Sequence, residues 1–284
     1  PPSGGGTLRS FNRNFHGRCG TKDAPTFLAG VEVCAASAVA GEIVDPRGLG
    51  EPVRVAEPES FAVDDGMVVP PAEDPDSVSI VRGPNIAPLP TRGALDDVIR
   101  GRVLLVTGDN ITTDDIMPAG AKILPLRSNI PAISEYVFSR MDEEFAERAK
   151  REGGGFIVGG SNYGQGSSRE HAALAPMALG VKAVLAKSYA RMHHANLVNF
   201  GILPLVLPEG APVAQGDELE MVGVRAAVEA GKPVAMRNLT NGKSFEASTD
   251  LTPRQVKVVL AGGLLNYIKE SGASGAAGAK GASE

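Results

Sequence analysis

Between residues 156 and 206, three short apolar runs alternate with two helical stretches, and this alternation restricts the fold more than any other feature of the chain. Phe156-Ile157-Val158 reads as a strand, 169–179 as a helix, 183–186 as a strand, 189–199 as a helix ended by Gly201, and 202–206 as a third strand. Parallel neighbours need a crossover of a dozen or more residues, and each helix supplies one. A parallel core with crossover helices is expected. Upstream, 103–106 reads as a buried strand. Ile133, Val137, Met141 and Phe145 recur every four residues and share one face, which predicts a single helix over 133–150. Downstream, strands are expected over 219–222, 234–239 and 245–247. A closing helix follows, with Thr252 as N-cap and Pro253 at its first position.

The flanks are of a different character. Residues 9–18 form a polar, Arg-rich loop, followed by an Ala-rich helix over 31–40 closed by Gly41. Pro and acidic residues dominate 49–95, which reads as a linker. From 271 onward a Ser-Gly-Ala tract reads as a disordered tail. The opening Pro1-Pro2, running at once into glycines, is what a piece of a larger protein would show.

A net charge of -5 without a concentrated Lys/Arg block argues against a protein built to neutralise nucleic-acid phosphates. No run approaches the roughly 18 apolar residues needed to cross a bilayer, and no signal pattern opens the chain, so a soluble, cytoplasmic protein is expected. Cys19 and Cys34 are too few for a disulfide framework, lack zinc spacing, and cannot by themselves hold an iron–sulfur cluster.

Chemistry concentrates in Gly159-Gly160-Ser161-Asn162-Tyr163-Gly164-Gln165-Gly166-Ser167-Ser168-Arg169-Glu170-His171, between a predicted strand and a predicted helix. Glycines there let the backbone approach a ligand, and N–H groups at the helix start favour an anion. A simpler reading makes Ser167 and Glu170 a capping box with no ligand. Against it, Arg169 in the first turn opposes the helix dipole and wants a bound carboxylate or phosphate to explain it. The pattern is neither a phosphate-binding loop nor a dinucleotide fingerprint. His171 reads as a packed group, Met177 and Met192 as core, and the adjacent His193 and His194 as a poor metal pair.

The stretch 163–171, together with Ala186-Lys187-Ser188-Tyr189-Ala190-Arg191-Met192-His193, Asn196-Leu197 and Gly201-Ile202-Leu203-Pro204-Leu205, resembles the swivel domain of aconitases. Gly108-Asp109-Asn110-Ile111-Thr112-Thr113-Asp114-Asp115-Ile116-Met117-Pro118-Ala119-Gly120 resembles the leading loop of that domain. Asn12-Arg13-Asn14-Phe15-His16-Gly17-Arg18 resembles a substrate-binding loop of the domain before it.

The resemblance implies an α/β, three-layer swivelling β/β/α domain with a mixed, partly parallel sheet, preceded by a fragment of an α/β cluster-bearing domain. The division would be 1–48 cluster-domain fragment, 49–95 linker, 96–270 swivel domain and 271–284 tail. It also implies a hydro-lyase that interconverts citrate and isocitrate through cis-aconitate, using a [4Fe-4S] cluster whose ligands lie outside this chain, on missing N-terminal domains. Ser167 would be the base that removes the carbon-bound proton. Asn12, Arg13, Arg18, Arg127, Ser168 and Arg169 would bind substrate, with Arg127 one residue beyond the family's spacing. Asp114 would belong to the polar network around the site. By itself this chain would be inactive. Runner-up readings are a related dehydratase acting on isopropylmalate or a homoaconitate-type acid, and a non-catalytic binding or regulatory module. An apolar entry loop would mark the isopropylmalate case, whereas Arg127 near that loop and the likeness of 183–205 to aconitases favour a third carboxylate; the lack of a basic, aromatic-bearing patch counts against an RNA-binding module.

Overall fold

The computed structural model describes residues 3–12, 20–51 and 54–279, with side chains given through residue 272. It divides into two compact units, Pro1–Val78 and Ser79–Glu284. In the first, strands β1 (Thr7–Arg9) and β2 (Thr26–Leu28) pair in parallel, and α1 runs over Val31–Ala40. Gly41 closes α1 in the left-handed conformation at φ 79°, as the sequence predicts. Residues 54–83 are exposed throughout.

The second unit is built on one seven-stranded mixed sheet. In chain order its strands are β3 (Val98–Val106), β4 (Gly155–Gly159), β5 (Val181–Ala186), β6 (Leu203–Val206), β7 (Glu218–Val222), β8 (Val234–Asn238) and β9 (Ser244–Ala247). Their order across the sheet is β6-β5-β4-β3-β7-β8-β9. β3 to β6 pair in parallel with one another, whereas β7 to β9 add as antiparallel strands beginning on β3. The sheet curls far enough that its two edge strands meet, where Val206 N–H donates to Ser248 O at 2.7 Å and Ser248 N–H returns to Val206 O at 3.0 Å. Closure of that kind leaves little edge open to other chains.

Burial follows this division. The inner parallel strands are covered on both faces, with all five residues of β4 buried and β5 buried except at Lys182. Antiparallel β8 alternates buried and exposed residues at period two. Phe156, Leu185, Leu203, Leu205, Leu219, Met221, Val234 and Met236 fill the inside of the curl. On the other face of the parallel strands lie α2 (Thr113–Ile116), α3 (Ile130–Ser134), α4 (Phe145–Arg151) and α5 (His171–Ala178), packed through Ile116, Ile133, Phe145 and Leu174. The β/β/α layering expected from the resemblance is present. α6 (Arg191–Asn199), α7 (Val224–Glu229), α8 (Pro253–Leu260) and α9 (Leu264–Ala279) complete the unit.

Several elements depart from the sequence reading. The single helix expected over 133–150 is two, α3 and α4, because Phe138 adopts φ 57° and its N–H turns to Ile116 O at 2.8 Å. That conformation is costly for a bulky residue, and complete burial of the ring, edge-on to Phe145 at 4.8 Å, offsets it. Ile133, Val137 and Phe145 are still buried, but Met141 is exposed. The end of the expected linker belongs to the second unit. Arg92 donates to Gly201 O (2.9 Å) and Val181 O (2.6 Å), and Leu95 is buried with its N–H on Leu260 O. Helix α8 has its Thr252 cap, reciprocated by Gln255. α9 then continues to Ala279, into the tract expected to be disordered. No helix among the described residues is long and apolar enough to cross a membrane.

Candidate functional site

Two loops leave the carboxyl ends of neighbouring parallel strands β3 and β4, the place where open α/β sheets present ligand sites. Their backbones are laced together. Asn110 N–H donates to Ser161 O (2.8 Å), Gly164 N–H to Ile111 O (2.7 Å) and Thr113 N–H to Gln165 O (2.9 Å). Gln165 Nε2 reaches Asn110 O at 2.9 Å, and Ser161 N–H reaches the Asp109 carboxylate at 2.7 Å. Approach this close needs glycine. A Cβ on Gly160 would stand 2.1 Å from Asp109 Oδ1, and one on Gly164, at φ 80°, would stand 2.2 Å from the His193 ring.

Thr112 caps the one-turn helix α2 in a reciprocal box with Asp115, which fixes how the next two side chains project. Thr113, 2% exposed, donates its Oγ1 proton to Ser167 O at 2.9 Å. Asp114 forms an ion pair with Arg169 Nη1, which also lies 3.4 Å from Met117 O. With Arg169 27% and Asp114 43% exposed, such a pair is worth at most about 1 kcal/mol in stability. Its consequence is orientation of the guanidinium.

This geometry changes one step of the sequence argument. Helix α5 begins at His171, not at residue 169, and its N-cap, Glu170, is itself helical with no side-chain cap. Arg169 therefore precedes the helix instead of opposing its dipole from within the first turn. Asp114 already balances its charge, so Arg169 alone does not demand an anion.

Ser167 is half-buried and Ser168 exposed. Both line a cleft of about 300 Å³ together with Thr113, Arg191, His193 and Asn196. Arg127 is exposed, and its carbonyl lies 2.8 Å from His171 Nε2 beside the start of α5. Asp114, Arg127, Ser167, Ser168 and Arg169 thus all belong to the second unit, around the two loops and the start of α5. Asn12 is exposed in the first unit, while Arg13 and Arg18 lie outside the described residues.

Sequence reasoning missed Thr113, Arg191, His193 and Asn196. The available signal was the spacing of His193 and Asn196, three apart and so on one helix face. His193 is 2% exposed, and neither ring nitrogen has a partner among the described residues. Burial, reinforced by neighbouring His194, pushes its pKa down to about 4. Between pH 6.5 and about 4 the unfolded chain carries a proton here that the folded chain does not, so stability falls as pH falls through that window. The expected loss is about 2–3 kcal/mol by pH 4.5. Urea unfolding of wild type and His193→Gln at pH 7 and pH 4.5 checks this; an equal acid loss in both would assign it elsewhere.

No group of three or more His, Cys, Asp or Glu among the described residues could hold a metal ion, and Cys34 is a free thiol. Cys19 lies outside the described residues. These side chains do not fit a [4Fe-4S] cluster, which takes three or four thiolates.

Fold and site together define an α/β domain that presents paired serines in a polar cleft, followed in the chain by an arginine held by Asp114. The model of the aconitase C-terminal domain matches residues 139–210. The 3-isopropylmalate dehydratase small subunit 1 of Thermotoga maritima is 37% identical over 175 residues, covering 62% of this chain and 97% of that protein. Mitochondrial homoaconitase of Candida parapsilosis is 35% identical over 207 residues, covering 71% of this chain and 29% of that longer protein. A solved 3-isopropylmalate dehydratase from Methanocaldococcus jannaschii superposes with a TM-score of 0.53 at 29% identity, over 63% of this chain and 98% of that one. The chain belongs to the aconitase/isopropylmalate isomerase superfamily of hydro-lyases.

Proposed function

We propose that this chain supplies the serine base and the carboxylate-holding residues of a hydro-lyase acting on a hydroxy acid of the 3-isopropylmalate or homoaconitate kind. The observation that carries the reading is the interlock of the two loops, in which Thr113 holds the backbone of Ser167 while Asp114 fixes the guanidinium of Arg169, two residues on. Ser167 Oγ takes the proton from the carbon next to a carboxylate. To accept that proton the oxygen must start as an alkoxide, and the positive end of α5, beginning four residues on, favours that charged form; the negative charge passes to the substrate as the O–H bond forms. Asp114 engages only one edge of Arg169, and a guanidinium has five donors, so a substrate carboxylate can take the other edge alongside Ser168. The resemblance of 12–18 makes Asn12, Arg13 and Arg18 further candidates for holding substrate. A [4Fe-4S] cluster, a Lewis acid toward the substrate hydroxyl in such enzymes, would be held by a partner segment or subunit.

Relatives named for 3-isopropylmalate and homoaconitate support this substrate class over citrate, the first expectation from the sequence. One observation keeps citrate as the second reading: Arg127 stands beside the site with its side chain exposed, where a third carboxylate could meet it. The test is to combine the chain anaerobically with a cluster-bearing partner and follow alkene absorbance with 3-isopropylmalate, homoaconitate and cis-aconitate. The expected result is a kcat/KM at least ten-fold higher for one of the first two. Preference for cis-aconitate would restore citrate, and turnover of none would remove the enzymatic reading.

A further inference from the structure

Arg191, His193 and Asn196 occupy the first two turns of α6 and line the cleft that holds Ser167 and Ser168, yet nothing in the proposed chemistry uses them. The beginning of this helix has no side-chain cap. Ala190 stands at the N-cap with no side-chain hydrogen bond, and the ladder starts with His194 N–H on Ala190 O at 3.0 Å. The N–H groups of Arg191, Met192 and His193 therefore lie ahead of the ladder, at the positive end of the helix. Arg191 adds a full positive charge at the position where a cation is least favoured.

A second observation is independent of the helix end. His193 is 2% exposed with both ring nitrogens unpartnered, and Asn196, 8% exposed, has an unpartnered Nδ2. Folded proteins pair almost all such atoms. The room for the imidazole is made by Gly164, the residue at which a Cβ would meet the ring. Kept neutral by burial, that ring offers one donor and one acceptor nitrogen, and Asn196 Nδ2 offers two further donors.

We propose that the start of α6 is a carboxylate subsite: Arg191 and the leading N–H groups bind one carboxylate of a polycarboxylic acid, and His193 with Asn196 form the polar floor beneath it. A ligand spanning the cleft then places a second carboxylate toward Ser168 and Arg169. The identity of this ligand as the enzyme's own acid rests on the proposed function; binding of a carboxylate here does not.

The test uses the full chain, isotopically labelled, titrated with propane-1,2,3-tricarboxylate at constant ionic strength, with sodium chloride as the control. The expected result is movement of the Arg191, Met192 and His193 amide resonances and of the His193 ring nitrogens. Arg191→Ala, at an exposed position, should weaken binding at least ten-fold without changing Tm. Asn196→Leu should raise Tm, because it removes a buried unpaired amide, and weaken binding as well. Movement confined to Ser168 and Arg169 would overturn the subsite and leave the proposed function standing. A flat titration, an equal response to chloride, or wild-type affinity in Arg191→Ala would overturn it too.

Discussion

Gly164→Ala is expected to destabilise the second unit by about 2–5 kcal/mol and to loosen the loop that carries Ser167. Two costs add. At φ 80° an L-residue meets left-handed strain of about 1–2 kcal/mol. The new methyl would also stand 2.2 Å from the His193 ring, and overpacking of that kind costs about 1–3 kcal/mol more. His193 has little freedom to retreat, since it is buried and its ring lies 5.4 Å from that of Tyr163. Thermal unfolding should shift by roughly 4–20 °C. Gly166→Ala separates the two costs: φ is 102°, but the nearest atom to its Cβ is Thr113 Oγ1 at 3.7 Å, so strain alone should remain. Gly108→Ala, with nothing within 4 Å and no positive φ, should be close to neutral. Equal effects at positions 164 and 166 would show that the His193 contact contributes nothing.

What the sequence made legible follows from the range of the forces involved. Local signals were sufficient for α1 with its Gly41 closure, for the Thr252 cap of α8, and for the alternation from β4 to β6, because each depends on neighbours along the chain. The antiparallel strands were legible as elements, but their attachment to β3, and the meeting of β6 with β9, depend on pairings across long stretches of chain that no local pattern encodes. The break at Phe138 was hidden for the same reason: four-residue periodicity is kept on both sides, and only the tertiary bond to Ile116 O draws the backbone out of the helix.

At the site, the Gly-rich loop was visible as a motif, whereas its support was not. Thr113 reads as an ordinary loop threonine until its hydroxyl is seen on Ser167 O. Arg169 stands in the sequence as a cation without a partner, and Asp114, 55 residues away in sequence, supplies one only in the fold. His193 and His194, adjacent in sequence, make a poor metal pair, but adjacency says nothing of the burial of His193 beneath Gly164.

Ser167→Ala should lower kcat of the assembled enzyme by roughly 10²–10⁴-fold with KM little changed, the range that loss of a positioned base produces. The split between the two constants is the informative part. A proton is taken only on the way to the transition state, so removing the base leaves the bound acid as it was. Arg169→Lys should do the opposite, raising KM more than it lowers kcat, because a carboxylate is held in ground and transition states alike and an ammonium cannot reproduce a two-pronged grip. Thr113→Val provides the intermediate case. It keeps the shape but loses the bond to Ser167 O, and should lower kcat by about five-fold for the roughly 1 kcal/mol of one hydrogen bond. Retention of more than a tenth of wild-type kcat in Ser167→Ala would remove the serine from its role as base, and the interlock of the two loops would then position Arg169 alone.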